Sequence, residues 1–395
     1  MNRHHPFHAA LAEAVARLEE ARIAYTVMGA ASLRAQGIDV SADLIEIDVQ
    51  WDVFLKAHAL FEDFEAGGIE RGGRRDAFRL SIHGTNMEIA CVYNTVVATD
   101  PDRIPVVLGG RTVWVKALDY YLRVLEKGDP LRAAIKRHLS QLQKTNTELT
   151  DAAWNDGAYD AWVRRFGPPA EWAAKIRRDP DGRLHSIRGY LGDLAGKRVV
   201  NLLGSHGTKA IAMGLLGADA TVIDLSRENA RYAEEVAEAA GAPLRYIVSD
   251  VLDLPKEEID GSYDLAVMEL GILHYFVDLE RLAEVVVGLL KSGGRLVLQD
   301  FHPVSTKLIT SKGKKHKVTG NYFDKTLLPV DVAFSKYARR DGDPPKVYER
   351  RWTLGEIVTA FAEAGLIVRR LDEAPNIKID DIGIPKQFTL VAEKA

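Results

Sequence analysis

Three carboxylates in the second half of the chain, Asp224, Asp250 and Glu269, each follow a short run rich in Val, Ile or Leu. Such runs read as buried strands, so each acid is expected at the carboxyl end of a strand. In an open α/β sheet ligands gather at that edge, where the strand order reverses. Ahead of them, VVNLLGSHGTKA hands a strand over to a helix through Gly204 and Gly207. A backbone without Cβ lets a ligand approach closely, and a helix start offers free N–H groups. Asp224, seventeen residues beyond Gly207, is placed to accept hydrogen bonds from a ribose diol. His274 and His302 follow the fourth and fifth strands of the series and are the candidate proton acceptors at the same edge.

The first half carries a different arrangement. Glu46 and Asp48 lie two apart in DLIEIDVQ, so in an extended strand both side chains leave the same face. Like charges that close repel unless a cation lies between them, and a hard divalent ion with oxygen ligands suits that role. Glu88, in NMEIACV, completes a candidate three-acid metal cluster.

The elements that must position these groups follow from the pattern. Residues 7–22 have the apolar spacing of an amphipathic helix. Ala24–Met28, Leu44–Val49, Phe78–Ile82, Met87–Val92 and Val113–Val115 read as strands of a small mixed sheet, closed by helices over Leu118–Leu125 and Leu131–Leu142. Residues 146–180, dense in Trp and Tyr, read as a helical connector whose aromatics need burial. From Lys197 strands and helices alternate: Val199–Leu203, Ala220–Asp224, Leu244–Val248, Leu265–Met268 and Gly294–Gln299 are the strands. Thr208–Leu216, Arg227–Ala240, Leu279–Leu290 and Thr353–Ala364 are the helices, and Phe388–Ala392 is expected as a final edge strand. That alternation predicts an α/β, doubly wound parallel sheet with helices on both faces. The divisions are 1–145, 146–180 and 181–395.

Composition narrows the function classes. The 395 residues are 47% hydrophobic and 27% charged, which is globular and too long for one domain of ordinary size. A formal net charge of −4 argues against nucleic acid or an anionic membrane as the main partner. The single cysteine, Cys91, excludes an internal disulfide. With no signal-like or spanning apolar stretch, a soluble cytoplasmic protein is expected. The basic segment 311–318, SKGKKHKV, reads as a solvated loop or lid, and Arg350-Arg351 and Arg369-Arg370 as solvated faces.

Residues 181–395 resemble the class I S-adenosylmethionine-dependent methyltransferases, on the order of elements, Asp224, Asp250 beside VLDLP, YDLAVMELGILHYF and LLKSGGRLVLQD. The resemblance implies a Rossmann-like fold in which the turn 203–207 cradles the methionine end of the cofactor. Asp224 would bind the ribose, Asp250 and Val251 would border the adenine, and Asn201, Gly204, Ser205, Gly207, Leu225 and Glu269 would complete the cofactor set. This chain departs from the family pattern in the first turn, with Asn201 at the usual acid and Leu203 and Ser205 at two usual glycines. Residues 20–140 resemble the nucleotidyltransferase superfold on YTVMGAASLR, Glu46, Asp48 and Glu88. That implies a smaller α+β domain holding Mg2+ through those acids. The expected function is S-adenosylmethionine-dependent methyl transfer to a small-molecule acceptor. The alternatives are a non-catalytic binding module built from two degenerate enzyme folds, and an RNA methyltransferase.

Overall fold

The computed structural model describes residues 6–312, 315–337, 343–375 and 383–395. The chain forms two compact units, Met1–Ser140 and Gln141–Ala395. The division falls inside one helix, Pro130–Trp154, which is longer than the Leu131–Leu142 segment expected from spacing.

The first unit holds seven strands: β1 (Tyr25–Met28), β2 (Leu44–Val49), β3 (Glu70–Arg71), β4 (Arg75–Ile82), β5 (Thr85–Val92), β6 (Arg103–Leu108) and β7 (Arg111–Lys116). Their order is β3-β4-β5-β2-β1-β7-β6, with β2 parallel to β5 and antiparallel to β1. β6, with Pro105 and four partly open positions, lies at the edge and escaped the apolar pattern. The helix Pro6–Glu20 buries Phe7, Leu11, Val15 and Leu18, the stripe its 3.6-residue period predicts.

The second unit is built on β8 (Arg198–Leu202), β9 (Asp219–Asp224), β10 (Arg245–Val248), β11 (Tyr263–Glu269) and β12 (Leu290–Phe301). Two hairpins follow, β13 (Ile309–Lys312) with β14 (Lys315–Val318) and β15 (Leu327–Asp331) with β16 (Lys346–Arg350), then β17 (Leu366–Pro375) and β18 (Pro385–Lys394). The main sheet runs β10-β9-β8-β11-β12-β18-β17, parallel from β10 to β12, and its order reverses between β8 and β11. Val199, Val267 and Val297 face one core with the helices between Ala158 and Ala240. Val200, Ala266 and Leu298 face the other, with the helices Leu279–Leu289 and Leu354–Glu363. Burial on both faces is why these strands read as continuous apolar runs. Thr353 and Glu356 form a reciprocal capping box on the last helix, worth about 1 kcal/mol.

Three expectations change. The segment Phe388–Ala392 is no edge: β18 pairs with β12 on one side and β17 on the other, both antiparallel. The edge is β17, whose Arg369, Arg370, Asp372 and Glu373 carry the charge that keeps an exposed strand from pairing further. Arg350 is buried, stacked 3.6 Å from the Trp352 ring centre and bonded to Glu356 at 3.1 Å, so the solvated-face reading fails there. Residues 311–318 form the β13–β14 hairpin, apart from Gly313 and Lys314, which lie outside the described residues.

Candidate functional site

In the second unit a cavity of about 580 Å3 opens at the carboxyl ends of β8, β9, β10 and β11, at the point where strand order reverses. The last two residues of β8 are Asn201 and Leu202; Asn201 is buried, its Nδ2 donating to the Val267 carbonyl at 3.2 Å. In the turn that follows, Leu203, Ser205 and Gly207 have φ of 50°, 47° and 68°. The left-handed backbone is therefore kept although two of the three residues carry a Cβ, which costs each about 1 kcal/mol. A Cβ on Gly204 would stand 2.7 Å from Asn201 Oδ1, so a larger residue there would have to displace the Asn201 side chain. The Tyr246 hydroxyl donates to the Ser205 carbonyl at 2.8 Å and pins the turn. The Ser205 hydroxyl itself is buried without a hydrogen-bond partner. Ser205→Gly should thus raise the stability of the ligand-free protein by about 1 kcal/mol in urea denaturation, since it removes strain and an unsatisfied hydroxyl together.

β9 ends in Asp224. Its Oδ2 accepts from Ser205 N at 2.9 Å, and its Oδ1 from Ser226 N at 3.0 Å and Asn229 Nδ2 at 3.2 Å. Burial pushes its carboxyl above the ordinary range, and the three donors pull it back. A carboxylate offers about four acceptor sites, so capacity remains toward the cavity that Asp224 lines. Asp250 caps the short turn after β10 by accepting from Leu252 N at 2.9 Å, and Val251 is buried beside it. Glu269 ends β11, with Lys209 Nζ 3.6 Å from its Oε2. Asn201, Gly204, Ser205, Asp224, Leu225, Asp250, Val251 and Glu269 all line the one cavity, whereas Gly207 lies behind it with Ala233 against its Cα.

The turn after β11 is held by Asp300, whose carboxylate accepts from Gly271 N at 2.6 Å, Phe301 N at 2.7 Å, Leu273 N at 3.2 Å and Ile272 N at 3.3 Å. That turn carries Tyr275 into the cavity wall, where Tyr275 O also accepts from Gln143 Nε2 and Asn146 Nδ2 at 3.2 and 3.0 Å.

Neither candidate catalytic histidine lines the cavity. His302 is 3% exposed, accepts from Val304 N through Nδ1 at 3.1 Å and donates through Nε2 to Glu373 at 2.6 Å, so both nitrogens are committed to holding the loop. His274 contacts Glu349 at 3.3 Å, and burial pushes it down to about 3, which keeps it neutral. The lining histidines are His185 and His206. Burial pushes His206 down to about 4; its ring stands edge-on to Trp162 and Phe166 at 4.8 and 4.7 Å, and its Nδ1 pairs with Thr208 Oγ1 at 2.8 Å. Trp154, Trp162, Phe166 and Trp172 form an aromatic wall that sequence reading treated only as buried packing. Their helical spacing was visible, but which strand tips they would cover was not.

The metal-site expectation for the first unit does not hold. Glu46 and Glu88 are register partners on β2 and β5, so Glu46, Asp48 and Glu88 do share a face. Glu88, however, is clamped by Arg75 at 2.5 Å and Arg79 at 2.9 Å, and Ser32 spends its hydroxyl on the Lys116 carbonyl. Among the described residues no three His, Cys, Asp or Glu side chains are arranged to hold a metal ion, and these residues do not fit Mg2+. Burial, with Arg75 opposing, pushes Asp48 from 3.8 up to about 6. The folded state then binds this proton more tightly than the unfolded one. Its contribution is fully favourable below pH 4 and is lost as pH rises from about 4 to 6. Thermal melts between pH 4 and 8 should show Asp48→Asn more stable than wild type at pH 7 and no different near pH 4.

The family described as "Methyltransferase domain" matches residues 203–298. The chain is 35% identical over 135 residues to a ubiquinone biosynthesis O-methyltransferase of Xanthomonas oryzae pv. oryzae, covering 33% of this chain and 56% of that protein. A protein of the same name from Xanthomonas euvesicatoria pv. vesicatoria is 34% identical over 110 residues, 28% of this chain and 45% of its own length. The chain thus spans about half the length of the curated relatives it matches. Among solved structures it is similar to an S-adenosylmethionine dependent methyltransferase from Mesorhizobium loti, with TM-score 0.43, 20% identity and coverage of 57% of this chain and 98% of that one. Magnesium protoporphyrin IX methyltransferase from Synechocystis PCC 6803, with bound SAH, aligns with TM-score 0.41, 14% identity and coverage of 63% and 100%. Within the second unit, residues 203–298 are thus similar to a methyltransferase domain, and the α/β sheet that carries them reverses its strand order between β8 and β11.

Proposed function

We propose that this chain transfers a methyl group from S-adenosylmethionine to a hydroxyl of a small molecule held in the cavity of the second unit. The observation that carries the reading is Asp224. It is a carboxylate at the tip of the strand beside the switch point, lining the cavity with acceptor capacity left over after three internal hydrogen bonds. Buried polar atoms without partners on Arg183, Ser205 and Glu269, all lining residues, fit a ligand bearing both donors and acceptors. The O-methyltransferase names of the sequence relatives support oxygen as the acceptor atom.

When bound, the cofactor supplies an electrophilic methyl on a sulfonium. Asp224 would accept from a ribose hydroxyl, Asp250 and Val251 would border the adenine, and the turn 203–207 would hold the methionine end. Trp154, Trp162 and Tyr275 exclude water and orient the acceptor, and orientation supplies most of the acceleration of an in-line displacement. His185 and His206 are the lining imidazoles from which a proton acceptor would come. Asn201 keeps its Nδ2 on the Val267 carbonyl and brings no charge.

For the first unit we propose a nucleotidyltransferase-like fold kept for binding, its acids balanced by Arg75 and Arg79 instead of metal. The test of the main reading is calorimetry with S-adenosylhomocysteine on wild type and Asp224→Ala. Heat with the first and a clearly weaker affinity in the second is expected, and no heat with wild type retires the reading.

A further inference from the structure

The buried side-chain atoms that lack partners are not scattered evenly. Three of them, Arg183 Nε, Ser205 Oγ and Glu269 Oε2, belong to residues lining the same cavity. An unpaired buried polar atom costs about 1–3 kcal/mol, so one cavity holding a cationic donor, a hydroxyl and an anionic acceptor in that state is shaped for a ligand bearing complementary groups. Lys209 adds a second cation: its Nζ donates to the Arg183 carbonyl at 2.5 Å and stands 3.6 Å from Glu269 Oε2, too far for a hydrogen bond. Arg183 also lies over the Trp172 ring, 4.8 Å from its centre, which fixes its guanidinium plane against the aromatic wall. The tip of β8, by contrast, brings only a neutral amide, and Asn201 already spends its Nδ2 on the Val267 carbonyl.

An acid and two bases side by side match one chemical feature of the cofactor, its zwitterionic amino-acid end. We propose that this chain reads that end at the tip of β11 rather than at the tip of β8, with Glu269 accepting from the ammonium and Arg183 and Lys209 donating to the carboxylate. The inference rests on the cofactor reading above and assigns the charge recognition within it. Asn201, which pairs with Val267 two residues before Glu269, brings no charge of its own to this end of the cavity. Burial pushes the Glu269 carboxyl up and Lys209 pulls it back, so an arriving ammonium adds to a balance already present.

The test compares two ligands that share the nucleoside and differ in the amino-acid end, S-adenosylhomocysteine and 5′-methylthioadenosine, by calorimetric titration. With Glu269→Gln the dissociation constant for S-adenosylhomocysteine should rise about tenfold or more, the scale of a hydrogen bond to a charged group, while that for methylthioadenosine stays within twofold. Lys209→Met should give the same selective loss. Unchanged methylthioadenosine binding reports that each variant is folded. Asp224→Ala should weaken both ligands together, so failure of the nucleoside reading is distinguishable from failure of this one. Equal loss of both ligands in Glu269→Gln, or no loss of either, overturns the assignment. So does recovery of full affinity for S-adenosylhomocysteine when Asn201→Asp is added to Glu269→Gln, which would put the ammonium at β8.

Discussion

Asp224→Ala is expected to weaken binding of S-adenosylhomocysteine by about ten- to a hundredfold, because a hydroxyl hydrogen bond to a charged acceptor is lost. The same change removes the acceptor for Ser205 N, Ser226 N and Asn229 Nδ2. These tie the turn after β8 to the start of the helix Arg227–Ala240. Part of the loss would therefore come from a loosened turn. Asp224→Asn separates the contributions, since the amide keeps the shape and one acceptor oxygen but turns a donor toward groups that are themselves donors. Titration calorimetry gives the affinities and circular dichroism the fold. A loss below threefold in a folded Asp224→Ala protein would mean that the ribose is held elsewhere.

Asp300→Ala should be the most destabilising single substitution in the second unit's site region, by about 3–5 kcal/mol in urea or guanidinium denaturation. The carboxylate serves four backbone N–H groups, on Gly271, Ile272, Leu273 and Phe301. Truncation leaves them without an acceptor, at about 1–3 kcal/mol for each one that water does not reach. The four do not add in full because the turn can open. Opening it moves Tyr275 from the cavity wall, so affinity for the acceptor should fall even under conditions where the variant is mostly folded. Asp300→Asn should be nearly as harmful. A shift under 1 kcal/mol would show that the turn is held instead by Gln143 and Asn146, which bond the Tyr275 carbonyl from outside.

Much of this was legible before any coordinates. Strand–helix alternation located β8 to β12 to within a few residues, because parallel strands buried on both faces are nearly uninterrupted apolar runs. The tips followed, and with them Asp224, Asp250 and Glu269. What escaped depends on pairing across long separations. Arg79 meets Glu88 only because β4 and β5 are antiparallel in that register, so a face of three acids looked like a metal site when its counter-charge came from another strand. β17 was not read as a strand, and β18 was read as an edge, because the order β12-β18-β17 leaves no mark in local composition. His302 could be read as a proton acceptor since Glu373, the partner that holds it, lies on β17. Trp162 and Trp172 were seen to need burial, yet their place over the strand tips is a fact of packing.

The order β12-β18-β17 has a consequence for biosynthesis. A ribosome releases β17 before β18, yet β17 has no other strand to pair with in the main sheet. Until β18 emerges and inserts between them, β12 and β17 both present open backbone edges, the kind of surface on which nascent chains associate wrongly. The charges along Arg369, Arg370, Asp372 and Glu373 then act twice: they guard the finished edge, and they shield the half-made sheet during translation.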